Sequence, residues 1–440
     1  MNAEALREQI REQFESVPYP SNPVEDSPVG AYDGLFIHSL VTPFYLQHQR
    51  VVETKDLLIL DAGCGTGYTS LLLAIANPGA KIIGVDPSPR SLEFARQRFD
   101  YHGLAEFGEF HALPLEQVAE LGLQFDYINC DEVLYLLPDL DLAMGALRSV
   151  LKPQGILRGN LNNIHQRGPH YRGQELFRLM GLMEENPGDM EIELVMDTMT
   201  ALKPQVALKQ QTWNIGSGRG KNEKELVLLN YLLRGDRGYS IPDLFESLEQ
   251  SELNFLSMVQ WRDWEVMDLF EDPENLPLIW QMGLVEMTID QRLHTYELLN
   301  PVHRLLDFWA TRDEPQALVP LSDRTDWATA TIHIHPVLRT AHIQLDLVQA
   351  VKARQSFEIS QYIPNVTRAA VSLPYGLAAA ILPLWEAPQT LEAIVSRFCQ
   401  IEPVDPLTLG AIDRAAAERL VMQLITQLEA FLYVLVVFPE

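Results

Sequence analysis

Short apolar runs alternate with amphipathic stretches through the first third of the chain. Residues 57–60 and 125–130 are apolar and of strand length. Residues 68–76 and 88–101 instead predict helices, the second with Ser88 as its N-cap. Strands that alternate with helices in this way predict an α/β fold built on a parallel, doubly wound sheet.

The same patterns extend this core in both directions along the chain. Further strands are expected at 81–85, 109–113, 155–162 and 255–259, and further helices at 4–15, 33–49, 139–151 and 241–248. Residues 263–312 are predicted to be helical. Residues 329–335 alternate in polarity, and we expect them to form the last strand of the sheet.

Two regions lie outside a minimal sheet of this type. Residues 164–238 show strong helical periodicity, which predicts a helical insertion after the fifth strand, with a glycine-rich hinge at 216–220. The last hundred residues predict three helices and a final strand at 432–438. This order is typical of a smaller, winged-helix-like α+β domain. Its low basic content favours docking to protein, or within the chain, over DNA binding.

The chemistry of the chain centres on residues 57–67. An apolar strand runs into an acid, Asp61, and three alternating glycines, and a helix follows at once. Glycines allow a tight turn and let a ligand approach the backbone closely. Asp86 ends the next predicted strand, which is the usual place for an acceptor of ribose hydroxyls. No lysine follows the loop to hold phosphates, and Asp61 suits a ligand that bears a positive charge.

Residues 57–67, Asp86 and residues 125–139 together resemble the successive motifs of class I S-adenosylmethionine-dependent methyltransferases. The resemblance implies a Rossmann-like core, S-adenosyl-L-methionine as cofactor and transfer of its methyl group by SN2 displacement. No acid lies at residues 110–114 to meet the adenine amino group, so a backbone contact at Ala112 and Leu113 is expected there. The residues expected to bind the cofactor are Asp61, Gly63, Cys64, Gly65, Gly67, Asp86, Pro87, Ala112, Leu113 and Cys130.

The stretch Val17-Pro18-Tyr19-Pro20 resembles the N-terminal signature of a methyltransferase subfamily that carries a methyltransferase regulatory domain. The resemblance places Tyr19 over the active site, with a packing role at the surface as the alternative. Asp131 or its neighbour Glu132 is expected to bind the acceptor or to take a proton, because ligands bind at the carboxyl ends of parallel strands. The alternative for this pair is an exposed loop acid.

These expectations divide the chain into four parts. Residues 1–50 form a helical cap over the cofactor site. Residues 51–163 and 239–340 form the methyltransferase core. Residues 164–238 form a helical lid beside the substrate face, and residues 341–440 form the C-terminal accessory domain, through which the protein could oligomerise.

Composition limits the partners and the location. The net charge is −27 and the pI about 4.7, which argues against binding to nucleic acid or to an anionic membrane. The three cysteines form no zinc or disulfide pattern, His333 and His335 have no third ligand nearby, and no metal site is predicted. Without a signal peptide or a run long enough to span a bilayer, a cytoplasmic location is expected.

A local excess of basic residues stands out in this acidic chain. It could attract a carboxylate or phosphate on the substrate, or be a solvated face balanced by the acids at 184–197. Its six members are Arg148, Lys152, Arg158, Arg167, Arg172 and Arg178.

Three functions remain open from the sequence. The first is a methyltransferase with an undefined acceptor, for which a small molecule is one option. The second is a protein lysine methyltransferase, because relatives with the regulatory-domain arrangement include such enzymes and an acidic surface suits a basic protein. The third is a non-catalytic scaffold that retains the fold.

Overall fold

The structure is a computed structural model that describes residues 3–16, 18–213, 223–316, 318–367, 369–404 and 408–439. Val17 of the expected signature and the hinge expected at 216–220 lie outside these ranges.

The described chain is built from α-helices and strands, with 3-10 helices of three to seven residues between them. The α-helices are α1 (Ala3–Ser16), α2 (Tyr32–His38), α3 (Val41–His48), α4 (Tyr68–Ala76), α5 (Pro89–Tyr101), α6 (Leu140–Val150), α7 (Ile164–Leu179), α8 (Asp189–Ala201), α9 (Ala207–Thr212), α10 (Glu223–Tyr231), α11 (Ile241–Gln250), α12 (Leu278–Glu286), α13 (Ile289–Leu299), α14 (Ala341–Ala353), α15 (Tyr375–Ile381), α16 (Leu391–Ile401) and α17 (Arg414–Glu429). The strands are β1 (Leu58–Ala62), β2 (Lys81–Asp86), β3 (Gly108–Ala112), β4 (Phe125–Cys130), β5 (Leu151–Asn163), β6 (Gly238–Tyr239), β7 (Asn254–Met258), β8 (Leu305–Thr311), β9 (Thr331–Ile334), β10 (Phe357–Glu358), β11 (Ser372–Leu373), β12 (Gln389–Thr390) and β13 (Val434–Val437).

The chain divides into two compact units. The first contains residues 1–26, 58–70 and 82–313, and the second contains residues 27–57, 71–81 and 314–440.

The first unit is organised around one large sheet with the order β3-β2-β1-β4-β5-β8-β7. Strands β1 to β5 are parallel, β8 runs antiparallel to both neighbours, and β6 adds a short parallel pairing to β5. The doubly wound α/β sheet predicted from the alternation of strands and helices is therefore confirmed. Because its parallel strands are covered on both faces, β1 and β4 are almost wholly buried, which explains their continuous apolar runs.

Capping side chains start two helices of this core, and Ser88 is the cap that the sequence predicted. The Ser88 hydroxyl accepts a hydrogen bond from the Ser91 N–H at the start of α5. Asp139 caps α6 in the same way through the Leu142 N–H. These caps start each helix beside the carboxyl end of the strand before it, where a ligand is expected.

Two predictions about the end of the sheet were wrong. Residues 305–311 form strand β8, although 263–312 were predicted to be helical; this strand is buried on both faces, so its apolar run lacks the alternation that marks a strand. Residues 331–334 do form strand β9, but β9 is not the last strand of this sheet. It lies between β12 and β13 in a separate three-stranded sheet of the second unit.

The region after β5 is helical, as the periodicity predicted, and its described helices are α7 to α10. Phe177, Val195, Met199 and Tyr231 belong to a core cluster of their own, separate from the core of the large sheet. The insertion therefore has its own hydrophobic core.

The second unit ends in the predicted helices α15, α16 and α17 and the final strand β13. Its antiparallel sheet has the order β12-β9-β13, so a strand that precedes the helices occupies the centre. His335, just after β9, is buried, and its Nε2 lies 3.1 Å from the Thr42 hydroxyl. The name winged-helix-like stays a prediction.

The compact units do not follow the predicted domain boundaries at 50 and 341. Residues 1–26 belong with the first unit, as a cap requires, but residues 27–57 belong with the second. The C-terminal part of the second unit begins at residue 314 and not at 341, because β9 pairs with β12 and β13. None of the described helices combines the length and the apolar character needed to cross a membrane.

Candidate active site

The loop between β1 and α4 turns through left-handed backbone at three glycines. Gly63, Gly65 and Gly67 have φ angles of +83°, +50° and +78°. A Cβ on Gly63 would collide with Val133, and one on Gly65 would collide with the carbonyl oxygen of Tyr19. Gly67 packs closely on α5, because a Cβ there would lie 2.7 Å from the Cβ of Ala95. The loop therefore presents bare backbone on one side and fits tightly on the other.

Asp86 stands at the carboxyl end of β2, directly beside this loop. Its carboxylate accepts hydrogen bonds from the Gly65 N–H at 3.0 Å and from the Ser88 N–H at 2.8 Å. Burial raises the pKa of Asp86 to about 6. Each oxygen keeps acceptor capacity after these bonds, so the carboxylate can also accept the hydroxyls of a ribose.

Asp61 has a different environment from Asp86. It is buried, and its carboxylate accepts hydrogen bonds from the Ser70 hydroxyl at 2.6 Å and from the Asn129 amide at 2.9 Å. Burial raises the pKa of Asp61 to about 6, against the effect of these two donors. These partners tie the loop to α4 and β4.

A cavity of about 890 Å³ opens over the glycine loop and the ends of β2 and β4. Pockets of this size are typical of cofactor sites. Of the residues expected at the site, the cavity wall includes Tyr19, Gly63, Cys64, Gly65, Asp86, Pro87, Leu113 and Asp131.

The other four expected residues are not part of this wall. Asp61 and Gly67 shape the loop, as described above, and they do not line the cavity. Ala112 pairs with Asp86 across the sheet, and Cys130 is fully buried within β4. Direct contact of these four residues with the cofactor stays a prediction.

Glu132 follows the end of β4, and the sequence did not distinguish it from its neighbour Asp131. Glu132 lies in the cavity wall and has a φ angle of +61°, which is uncommon for a residue with a side chain. Its N–H donates to the Asn160 side-chain oxygen at 2.8 Å, and its carboxylate accepts from the Tyr135 hydroxyl at 2.6 Å and pairs with Arg304. Such strain clusters at functional sites. The positive φ could not be read from the residue type.

Asp131 is held beside Glu132 by partners of its own. Its Oδ1 accepts from the Asn160 amide at 2.5 Å and lies 3.5 Å from Arg158 Nη2. Asp131 and Glu132 thus both line the cavity; Asn160 of β5 holds the Asp131 carboxylate, and Tyr135 and Arg304 hold the Glu132 carboxylate. An acidic wall of this kind suits an acceptor that carries positive charge.

Tyr19 reaches this wall because the glycine loop holds its backbone. The Thr66 N–H donates to the Tyr19 carbonyl at 3.1 Å, and the Thr66 hydroxyl donates to the Pro20 carbonyl at 2.7 Å. Burial, together with the charge of Glu132, raises the pKa of Tyr19 to about 12. Its phenol therefore stays protonated near neutral pH and is available as a hydrogen-bond donor.

Helix α1 closes the cavity on its outer side. Arg7, Arg11 and Phe14 line it, and Arg7 Nε lies 2.7 Å from Glu116 Oε1 on the turn after β3. At the other end of the helix, the Glu15 carboxylate accepts from the Ser88 hydroxyl. Glu116 was missed because an acid after β3 was sought only at residues 110–114.

The basic excess between residues 148 and 178 has partners throughout. Arg158 is buried and binds both oxygens of Asp307, at 3.0 and 2.8 Å. Arg167 pairs with the buried Asp236 at 2.8 Å. The remaining partners are Glu252 for Arg148, Asp126 for Lys152, Gln211 for Arg172 and Glu175 for Arg178. The basic side chains are therefore engaged within the protein, which does not favour a site for an acidic substrate. None of their partners lies among the acids at 184–197, and Arg158 and Arg167 are buried and not part of a solvated face.

The residues present fit S-adenosylmethionine. Gly63 and Gly65 line the cavity with left-handed backbone, Asp86 offers a carboxylate for the ribose, and Leu113 provides an apolar wall beside the strand end. Within the described part of the chain, no group of three or more His, Cys, Asp or Glu side chains is arranged to hold a metal ion.

Comparisons with known proteins agree with this geometry. Residues 53–226 match the family described as "Methyltransferase domain". An uncharacterized protein of Synechococcus sp. is 28% identical over 341 residues, which covers 76% of this chain and 77% of that protein. The malonyl-[acyl-carrier protein] O-methyltransferase of Acetivibrio thermocellus is 36% identical over 107 residues, but the match covers only 24% of this chain and 36% of that enzyme.

A solved structure shares the fold over most of the chain. It is PKMT2 from Rickettsia typhi in complex with AdoHcy, with a TM-score of 0.59, 17% identity, and coverage of 93% of this chain and 76% of that chain. At this identity the likeness concerns the fold.

Proposed function

We propose that residues 53–226, which match a methyltransferase domain, form a class I S-adenosylmethionine-dependent methyltransferase domain and that the enzyme methylates the side-chain nitrogen of lysine in a basic protein. The methyltransferase match and the open cofactor cavity argue against a non-catalytic scaffold.

The observation that carries the proposal is the pair of carboxylates at the end of β4. Asp131 and Glu132 face the cavity beside the Tyr19 hydroxyl. Arg304 pairs with Glu132, and Arg158 pairs with Asp307 and lies near Asp131, so these three acids and two arginines together keep one net negative charge. The wall therefore favours an acceptor that arrives as a cation, such as a lysine ammonium.

Bound S-adenosylmethionine supplies a methyl group on a positively charged sulfur. The chain's own residues hold the acceptor in line with it and keep water out. The acceptor must lose a proton before its nitrogen lone pair can attack, and Glu132 is placed to receive or relay that proton. Among the described residues that line the cavity there is no histidine, the usual base for a hydroxyl acceptor.

The acidity of the whole chain supports a basic macromolecular substrate. A net charge of −27 attracts a basic protein over distances comparable to the Debye length. The resemblance to the regulatory-domain subfamily supports the same substrate class and is part of the proposal. A cytoplasmic location is also part of it, and the free thiols Cys64, Cys130 and Cys399 suit a reducing compartment.

A small-molecule acceptor is the second candidate. It is favoured by the likeness of the domain to the malonyl-[acyl-carrier protein] O-methyltransferase of Acetivibrio thermocellus, which is confined to 24% of the chain. The enclosure of the cavity by α1 also suits a small acceptor.

The destination of the methyl group separates the two candidates. The protein is incubated with a cell extract and S-adenosylmethionine that carries a tritiated methyl group, and the extract is then precipitated with acid. Radioactivity in the precipitate that survives alkali supports an amine acceptor in a protein. Radioactivity that stays in the small-molecule supernatant supports the second candidate and contradicts the first.

A further inference from the structure

Helix α12 carries apolar side chains on both of its faces. On the inner face, Trp280 and Leu284 pack against the core of the large sheet, and the Trp280 ring meets Phe270 at a centroid distance of 5.2 Å. On the outer face, four large side chains are each more than 60% exposed: Leu278, Ile279, Met282 and Val285. A helix that is apolar all round is normally covered on both sides, so this face calls for a partner.

The exposed stripe leads into a groove. Val285 and Ile289 also line a hollow of about 410 Å³, whose opposite wall includes Phe255, Leu256 and Met267. Phe255 and Leu256 belong to β7, the outermost strand of the large sheet. The stripe and the groove thus form one continuous apolar surface along the edge of the sheet.

This surface has an acidic rim. Between residues 262 and 292, the exposed charged side chains are six acids and two arginines, Arg262 and Arg292. The six acids are Glu265, Asp268, Glu271, Asp272, Glu274 and Glu286. An apolar centre with a charged rim is the usual anatomy of a protein interface, and the sign of the rim specifies the partner.

The rim disfavours two other occupants. If a second copy docked through the same face, the two acidic rims would meet and repel each other. An anionic membrane would be repelled in the same way. A protein segment with apolar side chains between lysines or arginines matches both the centre and the rim.

We propose that the surface formed by Leu278, Ile279, Met282, Val285 and Ile289 with this acidic rim, here called the α12 surface, docks a basic amphipathic segment of a partner protein. The apolar side chains of the segment cover the stripe and enter the groove. Its basic side chains meet the rim carboxylates. This docking goes beyond the proposed function and stands whether or not the docked protein is the one that is methylated.

Fluorescence anisotropy of a labelled synthetic peptide tests the docking on the full chain. The probe is a helix-forming peptide with leucines on one face and lysines on the other. We expect binding that weakens as salt is added, because the rim contributes through screened charges. The same peptide with glutamate in place of lysine, or with serine in place of leucine, should bind at least about tenfold more weakly.

Substitutions locate the binding on the protein. The double substitution Ile279→Ser and Val285→Ser should weaken peptide binding at least about tenfold, because both side chains are exposed and central to the stripe. Glu271→Lys with Glu274→Lys should weaken binding and flatten its salt dependence. Leu345→Ser, at a residue of α14 that is 54% exposed, is the matched control and should leave binding unchanged.

Three results would overturn the proposal. One is peptide binding that the Ile279→Ser and Val285→Ser protein retains in full. Another is a concentration-dependent dimer, seen by sedimentation, that the same double substitution abolishes. The third is binding to phosphatidylserine vesicles that depends on the same two side chains.

Discussion

Two aspartates of the site look alike in the sequence and do different work in the structure. Asp61 and Asp86 each end a buried parallel strand, and burial raises the pKa of both to about 6. Asp86 opens onto the cavity, whereas Asp61 is enclosed by Ser70 and Asn129. The sequence predicts that both acids belong to the site, but the direction of a side chain depends on partners that come from distant strands.

Replacing Asp86 with asparagine should weaken binding of S-adenosylmethionine about tenfold to hundredfold, since a hydrogen bond to a charged group contributes about 1.5–3 kcal/mol. Titration calorimetry measures the change. In the unsubstituted protein, affinity should be highest above pH 6 and fall as pH drops through 6, because the raised pKa lets the carboxylate protonate there. Asp86→Asn should lose that part of the pH dependence.

The control for this substitution is Asp100→Asn, at an exposed residue of α5. It should bind the cofactor like the unsubstituted protein. Equal affinity in Asp86→Asn would remove Asp86 from the cofactor site.

Tyr19→Phe should slow methyl transfer about tenfold while leaving cofactor affinity unchanged, because it removes one hydrogen-bond donor from the acceptor side of the cavity. Single-turnover kinetics and calorimetry separate the two effects. Tyr101→Phe, at a tyrosine that is 61% exposed, should affect neither quantity. Full activity in Tyr19→Phe would favour the alternative that Tyr19 serves only for packing.

Whole elements of the site come from parts of the chain far apart in sequence. Helix α1 covers a cavity whose floor lies at residues 63–65, and it also contacts the helical insertion through the hydrogen bond from Gln13 to the Leu232 carbonyl. The amphipathic pattern of residues 4–15 predicted the helix. Nothing in that pattern specified Glu116 as the residue that Arg7 meets.

The ion pair between Arg7 and Glu116 should hold α1 closed over bound cofactor. Because both side chains are partly exposed, the pair is worth less than about 1 kcal/mol. Arg7→Ala and Glu116→Ala should each speed cofactor dissociation about twofold to fivefold, and the double variant should be no faster than either. Stopped-flow measurement of release tests this.

Arg414→Ala breaks an exposed ion pair with Glu392 in the second unit and serves as the control. It should leave the release rate unchanged. Additive effects of the two α1 substitutions would contradict the closing contact.

Strand β5 carries a buried charge that should be costly to disturb. Arg158 is enclosed with Asp307 and Asp131, which hold its pKa above the ordinary value despite burial. Arg158→Met should lower the free energy of unfolding by about 3 kcal/mol, because it leaves the mostly buried Asp307 carboxylate without its arginine partner. Arg158→Met combined with Asp307→Leu should recover most of that loss in urea unfolding.

Arg148→Met is the comparison, since Arg148 is partly exposed and pairs with Glu252 at the surface. It should cost less than about 1 kcal/mol. A double variant as unstable as Arg158→Met alone would show that the loss is not due to the unpaired carboxylate.

At the scale of the molecule, local order is predictable and long-range pairing is not. Nearly every strand and helix of residues 57–163 lies where periodicity and capping residues place it. Strand β8 was not predicted, because it is buried on both faces and its apolar run lacks the alternation that marks a strand. The unit boundaries failed because β9 pairs with a strand about a hundred residues later, which no local pattern records.

The cofactor site could be predicted from the sequence, whereas the acceptor site could not. The glycine loop and Asp86 identify the cofactor because one short stretch carries the whole pattern. The acceptor wall joins Tyr19 to Asp131 and Glu132, and Arg304 holds Glu132 in place, so the wall depends on three segments that lie far apart in the sequence. The acceptor is therefore the part of the account that most needs a direct measurement.

That measurement is the identification of the methylated group. Acid-precipitated protein from an extract incubated with the enzyme and tritiated S-adenosylmethionine is hydrolysed, and the labelled product is compared with methylated amino acid standards. The account predicts label in methylated lysine, and its loss when Asp86→Asn replaces the unsubstituted enzyme. Label that is absent from protein, or present only in a small O-methylated compound, would contradict it.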